Sequence, residues 1–202
     1  QEASKIGNDI LAKGGTAMDA VLAVQLALNL LEPESSGIGG GGFLLYYEKK
    51  RKKLFFYDGR ETAPSKIKTK DFLDNNGNTL KFYDIAVGGR AVGVPGLISL
   101  LEIAHNDLGL IKWNQLFIPS IKLSENGFKI SPKLHKAIKK DRYLYLFPNN
   151  KKYFYKNDKP KKIGIYIKNP DFAKTLKIIS LKKSKGFYEG EIATNIVNTV
   201  QN

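Results

Sequence analysis

Apolar side chains recur at helical spacing from the start of the chain. Ala3, Ile6, Ile10 and Leu11 share one face, and the pattern stops at Gly14-Gly15, where glycine can adopt the left-handed conformation that ends a helix. Thr16 then stands at the N-cap of a second helix, Ala17 to Leu31, which is apolar on nearly every side apart from Asp19, Gln25 and Asn29 and is limited by Pro33. A helix apolar all round lies in a core or in a membrane. A length of about fifteen residues with an internal aspartate falls short of the ~20 that span a bilayer, so burial is the expectation.

Phe43 to Glu48 and Lys53 to Asp58 are rich in Phe, Tyr and Leu and flank the charged tip Lys49-Lys50-Arg51-Lys52, a pattern that predicts a β-hairpin. The remainder reads as mostly helical. Pro95-Gly96 opens a helix reaching about Asn106, with the proline suited to the first turn. Trp113 to Glu125 forms a further helix that Pro119 kinks or interrupts, and Ser131-Pro132 starts one running to about Tyr145. Residues from Phe147 to Lys168 are polar and broken by Pro148, Pro160 and Gly164, predicting an irregular excursion with room for one short strand. Asn169-Pro170 caps a helix from Asp171 to Leu181, and Gly190 precedes a last one ending near Val200. No repeat and no Gly/Ser linker divides the chain, which predicts a single domain over 1–202. One hairpin among many helices is poorly covered on its own, so the pattern also predicts exposed apolar surface where further strands dock.

Composition adds two constraints. With 202 residues, 42% apolar and 11% aromatic, the chain can bury a sizeable core, and the absence of cysteine excludes disulfides and thiolate metal sites. The net charge of +14 is almost all lysine, in runs at Lys49 to Lys53, Lys133 to Arg142, Lys151 to Lys162 and Lys182 to Lys185. Tyrosines interleave the middle two runs, which opens a second reading as a non-catalytic basic module for acidic partners or nucleic acid. Nucleic-acid readers favour the planar fork of arginine, however, and scattered lysine suits a solvated surface. No nucleic-acid partner is assigned. The chain opens at Gln1 with neither an initiator methionine nor a leader pattern, and reads as a processed or partial chain.

The chemistry concentrates in Glu34-Ser35-Ser36-Gly37-Ile38-Gly39-Gly40-Gly41-Gly42-Phe43 and in Asp58-Gly59-Arg60-Glu61-Thr62-Ala63-Pro64. The glycines satisfy G-x-G-x-x-G, but they follow a helix and precede a strand, the reverse of what a dinucleotide site needs, and no Lys-Ser or Lys-Thr closes a phosphate loop. They are left with two readings: amides that approach a substrate oxyanion, or a crowded turn between helix and sheet. Arg60, just beyond the second strand, could grip a carboxylate through bidentate hydrogen bonds or form a local ion pair with Asp58 or Glu61. His105 and His135 sit singly on helices, and Ser35, Ser36 and Thr62 have no base beside them. The nucleophile-elbow, zinc-protease and cysteine-nucleophile patterns are absent from the sequence.

Five blocks in order carry a resemblance. Ala12-Lys13-Gly14-Gly15-Thr16-Ala17-Met18-Asp19-Ala20, Glu32-Pro33 with the glycine loop, Asp58 to Pro64, Gly88-Gly89-Arg90-Ala91-Val92-Gly93-Val94-Pro95-Gly96 and Phe187-Tyr188-Glu189-Gly190-Glu191-Ile192-Ala193 resemble the large subunit of the γ-glutamyltranspeptidases, or glutathione hydrolases. Thr16, where asparagine is commoner, and Arg90, where a neutral residue is commoner, depart from that pattern.

The resemblance implies an α+β chain that is part of a four-layer αββα N-terminal-nucleophile hydrolase fold, mostly helical here with a β-hairpin. It implies a precursor that cleaves itself into large and small subunits and exposes a threonine at the new N-terminus of the small one. That threonine takes the γ-glutamyl group of glutathione or a related amide as an acyl-enzyme, which water or an amino acid then resolves. Arg60 is implied to bind the α-carboxylate of the γ-glutamyl moiety. No catalytic residue is assigned within this chain, since the nucleophilic threonine is expected outside it, and no cofactor or metal is expected. The partners implied are the γ-glutamyl compound and the small subunit; no membrane span is expected, and an exported, periplasmic or secreted location is implied. The chain alone is expected to be inactive.

Overall fold

The computed structural model describes residues 1–201 and is helix-rich α+β. In chain order the elements are α1 (Glu2–Ala12), α2 (Ala17–Leu31), β1 (Gly42–Glu48), β2 (Lys53–Gly59), α3 (Phe82–Ala86), α4 (Leu97–Leu108) and α5 (Trp113–Asn126). They continue with β3 (Phe128–Lys129), α6 (Pro132–Lys140), α7 (Pro148–Phe154), β4 (Tyr155–Lys156), β5 (Lys159–Pro160), β6 (Tyr166–Ile167), α8 (Pro170–Lys182), α9 (Lys185–Tyr188) and α10 (Glu191–Gln201). Two single-turn 3-10 segments lie at Thr69–Phe72 and Leu144–Leu146. Backbone contacts group these into two compact units, Gln1–Gly37 with Asp107–Leu181, and Ile38–Asn106 with Lys182 onward.

In the first unit α2 is the buried helix its composition predicts, with Met18, Leu22, Ala23, Leu26 and Ala27 wholly inaccessible. It packs against α1 and α5. Gly7 admits the α1 contact, because a Cβ there would meet Val24 Cγ2 at 2.8 Å. Gly14 takes φ +85°, stopping α1 as expected. Around Leu30, the side chains of Phe128, Ile130, Leu134, Ile138, Phe154 and Ile167 form a second apolar cluster.

A single carboxylate ties this unit's first cap to a distant loop. Asp19 has no accessible surface, and its Oδ2 accepts hydrogen bonds from Thr16 N at 2.8 Å, Leu110 N at 3.1 Å and Ile111 N at 3.2 Å. Thr16 Oγ1 accepts in turn from Asp19 N at 3.2 Å, completing a reciprocal capping box. The buried charge is tolerated because donors converge on it.

Several boundaries differ from the sequence reading. Pro119 neither breaks nor interrupts α5, which runs from Trp113 to Asn126; one lost backbone hydrogen bond is outweighed where Leu116, Phe117 and Ser120 are all buried. The helix after Ser131 ends at Lys140 rather than near Tyr145, because Asp141 Oδ1 draws in the amides of Tyr143 and Leu144, both at 2.8 Å, and closes a turn. The expected excursion after Phe147 holds a helix, α7, and two tiny ladders: β4 pairs with β5 around Asn157 and Asp158 at φ +49° and +60°, and β6 pairs with β3. The interleaved rings there are occupied locally, with Tyr145 against Tyr155 at 5.1 Å and Lys151 Nζ 4.3 Å from the Tyr145 ring centre.

In the second unit β1 and β2 form the predicted hairpin, antiparallel from Gly42↔Gly59 to Glu48↔Lys53. The stretch after it, read as mostly helical, is largely irregular up to Pro95, with only the five-residue α3 and one 3-10 turn. α4 begins at Leu97, so Pro95 and Gly96 lie ahead of the helix rather than in its first turn. On one hairpin face Phe43, Leu45, Tyr47, Leu54 and Phe56 are all exposed, between 59% and 67%, which is the uncovered apolar surface that the sparse strands predicted. Among the described residues no helix is long and apolar enough to cross a membrane.

Replacing Asp19 with alanine removes the buried acceptor shared by the amides of Thr16, Leu110 and Ile111, and the expected loss is about 2–4 kcal/mol in urea or thermal unfolding. Thr16→Ala, which removes the cap hydroxyl with its hydrogen bonds to Asp19 Oδ2 and Leu108 O but leaves the Leu110 and Ile111 amides on the carboxylate, should cost less, about 1–2 kcal/mol. Equal losses for the two variants would contradict the role given to the long-range amides.

Candidate functional site

Three glycines from three separate segments meet at the end of the hairpin. A Cβ on Gly41 would lie 2.2 Å from the carbonyl oxygen of Gly59, and one on Gly96 would also lie 2.2 Å from that atom. A Cβ on Gly59 itself would strike Leu100 Cβ at 2.5 Å. The carbonyl of Gly40 accepts from Gly96 N at 3.0 Å and Leu97 N at 3.1 Å, so the glycine loop satisfies amides at the start of α4. Close backbone approach is thus the demonstrable role of Gly41, while Gly37, Gly39 and Gly42 have no atom within 4 Å of where a Cβ would stand.

This junction holds Arg60 at the strand end. Asp58 Oδ1 accepts from Arg60 N at 3.0 Å, a local turn that sets the direction of the chain. Thr62 and Val94 exchange both backbone hydrogen bonds, at 3.3 and 2.8 Å, and pin the segment from the other side. The guanidinium Nε lies 3.4 Å from Glu61 Oε2, and neither terminal nitrogen has a hydrogen-bond partner among the described residues. The local ion pair with Glu61 is present. The Nε edge faces its neighbour's carboxylate, and the terminal fork, on a side chain 61% accessible, stays available. Arg60 lines two concave regions, one of about 570 Å³ with Tyr57, Ser99, Ile103 and Tyr188, the other of about 640 Å³ with Glu61, Ile67, Phe72 and Arg90.

Ser36 and His135 have structural partners. Ser36 Oγ donates to Asn29 Oδ1 at 2.7 Å and accepts from Gln25 Nε2 at 2.6 Å, a local network in the first unit. His135 Nδ1 lies 2.9 Å from the carbonyl of Lys161. Among the described residues no group of three or more His, Cys, Asp or Glu side chains could hold a metal ion. Residues to which the sequence reading assigned no part in a site complete the junction: Gly59, Gly93, Gly96 and Tyr188. The hydroxyl of Tyr188 donates to Pro95 O at 2.7 Å, and burial pushes its phenol upward from the ordinary value. Each of these four lies inside a block quoted for the resemblance, which was the available signal.

The fold and the sequence agree with known proteins. The family model described as Gamma-glutamyltranspeptidase matches residues 3–202. The glutathione hydrolase proenzyme of Bacillus subtilis (strain 168) is 43% identical over 199 residues, 98% of this chain and 34% of that protein. Among solved structures, the γ-glutamyltranspeptidase of Helicobacter pylori superposes with a TM-score of 0.90 at 36% identity, covering 96% of this chain and 56% of that one. The γ-glutamyltranspeptidase of Pseudomonas nitroreducens complexed with L-DON gives 0.89 at 34% identity, with 100% and 58% covered. The chain belongs to the γ-glutamyltranspeptidase family. It spans about a third of the length of the curated relatives it matches.

The glycine junction gives a sharp contrast between neighbours. Gly41→Ala must displace the Gly59 carbonyl and should destabilise by about 2–4 kcal/mol, whereas Gly42→Ala enters open space and should stay within about 1 kcal/mol of the parent. Chemical unfolding of the pair measures this; similar values would remove close approach as the reason for Gly41.

Proposed function

We propose that this chain supplies the donor-holding side of an acyl-transfer site, as the large-subunit portion of a γ-glutamyltransferase and glutathione hydrolase. In this reading the γ-glutamyl group of glutathione or a related amide passes to water or an amino acid through a threonine acyl-enzyme. The threonine belongs to a small subunit released by self-cleavage of a precursor, and the enzyme works in the periplasm or outside the cell. The observation that carries the reading is the family match over residues 3–202, together with a guanidinium held at a strand end with its terminal fork free.

Arg60 then binds the α-carboxylate of the γ-glutamyl moiety. Two parallel N–H donors from one planar group fix both the position and the rotation of a carboxylate, which a lysine ammonium cannot do. Glu61 Oε2 lies 3.4 Å from the Nε edge, an ion-pair distance that leaves both terminal nitrogens for a ligand. Holding the carboxylate presents the γ-carbonyl to the nucleophile in a defined orientation, which is where positioning contributes to rate. The nucleophile is the hydroxyl of an N-terminal threonine activated by its own α-amine, chemistry that no residue of this chain is asked to perform.

In the full-length protein, Arg60→Ala should raise KM for a γ-glutamyl donor and cost about 2–4 kcal/mol in kcat/KM. Kinetics indistinguishable from the parent would sink the assignment. The chain of 202 residues by itself should release no glutamate from a γ-glutamyl anilide above a buffer blank. Turnover by the purified chain would show that the nucleophile had been misplaced.

A further inference from the structure

A second arginine shares the larger cavity. Arg60 and Arg90 both line the region of about 640 Å³, and Glu61 is the one carboxylate among its lining residues. Glu61 is already adjacent to the Arg60 Nε edge, leaving Arg90 as an uncompensated positive charge. Among the described residues Arg90 has no carboxylate partner. Its one hydrogen bond is a long one, Nη1 to the carbonyl of Asp84 at 3.4 Å.

The backbone presenting Arg90 is anchored on both sides. A Cβ on Gly89 would lie 1.9 Å from the carbonyl oxygen of Val200, so that glycine is pressed against α10. A Cβ on Gly93 would meet Glu61 Cβ at 2.9 Å, and the next residue, Val94, is bridged to Thr62. The loop therefore runs alongside the Arg60 segment at a fixed separation. Ile67, Phe72 and Val92 add apolar lining beside the charges, and low-dielectric walls strengthen the field of a cation compared with open surface.

We propose that Arg90 is a specificity-determining residue that, with Arg60, makes the cavity a site for two anionic groups. Arg60 holds the α-carboxylate, and Arg90 engages a second carboxylate carried by the leaving-group portion of the donor. The substrate class so favoured is γ-glutamyl compounds whose leaving group is itself acidic. This rests on the reading of Arg60 given above.

The test compares two donors in the full-length protein: glutathione, whose leaving group bears a carboxylate, and a γ-glutamyl anilide, whose leaving group bears none. Arg90→Gln should lower the ratio of kcat/KM for glutathione over the anilide by about three- to tenfold at low salt, through KM. Arg90→Lys should recover part of that ratio. The difference should shrink as salt is raised from about 0.05 to about 0.5 M, since an exposed pair is screened over that range. Arg60→Ala, by contrast, should depress both donors together. A ratio unchanged within twofold in Arg90→Gln overturns the proposal while leaving the Arg60 assignment intact. Normal kinetics in Arg60→Ala with an altered ratio in Arg90→Gln overturns the Arg60 assignment and supports an anion site at Arg90 alone.

Discussion

The carbonyl oxygen of Gly59 is the atom on which the candidate site depends. Gly41 and Gly96 both approach it so closely that neither position has room for a methyl group, and Gly59 is itself pressed against Leu100. What joins the glycine loop, the end of β2 and the start of α4 is thus an absence of side chains. Once the segments are in place, the Gly40 carbonyl satisfies amides at the start of α4, and Arg60 follows one residue after the crowded carbonyl. Its position is inherited from backbone packing rather than from contacts made by its own side chain. That is an economical arrangement for a ligand-binding group, since the guanidinium need not be tied up to be located.

The first unit solves a different problem in a comparable way. A helix as apolar as α2 carries no polar stripe to specify its rotation or register, and Asp19 provides that information from inside the core. Thr16 satisfies its carboxylate in part, and the remaining donors come only when the 108–111 loop delivers the amides of Leu110 and Ile111, so a wrong register leaves a buried carboxylate with too few donors. The lysine excess contributes little to either device. Its ion pairs lie on accessible side chains, as at Lys5 with Asp9 and Lys174 with Asp171, where screening leaves small energies.

Much of this was legible in the sequence, and the boundary of legibility has a physical cause. Helices α1 and α2, the Gly14 stop, the Thr16 cap and the hairpin all rest on interactions within a few residues, so periodicity and capping chemistry reveal them. The end of α6 was misread because Asp141 competes for backbone amides, an effect that leaves the apolar pattern of the following residues unchanged. The ladders β3–β6 and β4–β5 are two residues per strand and carry no alternation to detect. For the site, the sequence pointed to Arg60 and to the glycine run but did not distinguish Gly41 from Gly42. That distinction depends on Gly59, which comes from another segment. The pairing of Thr62 with Val94 and the shared cavity of Arg60 and Arg90 are likewise contacts between segments about thirty residues apart.

An accessible guanidinium is a weak clamp for as long as water competes for the same carboxylate. At about 4 Å, opposite charges gain only about 1 kcal/mol in bulk water and several times that where the effective dielectric falls to ~20. On the reading proposed here, the hairpin that ends at Arg60 is also the element that exposes Phe43, Leu45, Tyr47, Leu54 and Phe56. Covering that face with further protein would remove apolar surface from water and lower the dielectric beside the same strand end. Assembly and donor affinity would then be coupled through one hairpin, and a substitution that weakens docking on the apolar face would weaken carboxylate binding without touching Arg60. The coupling runs through one element, because the hairpin carries the docking face on both strands and its β2 ends in the turn that presents the arginine.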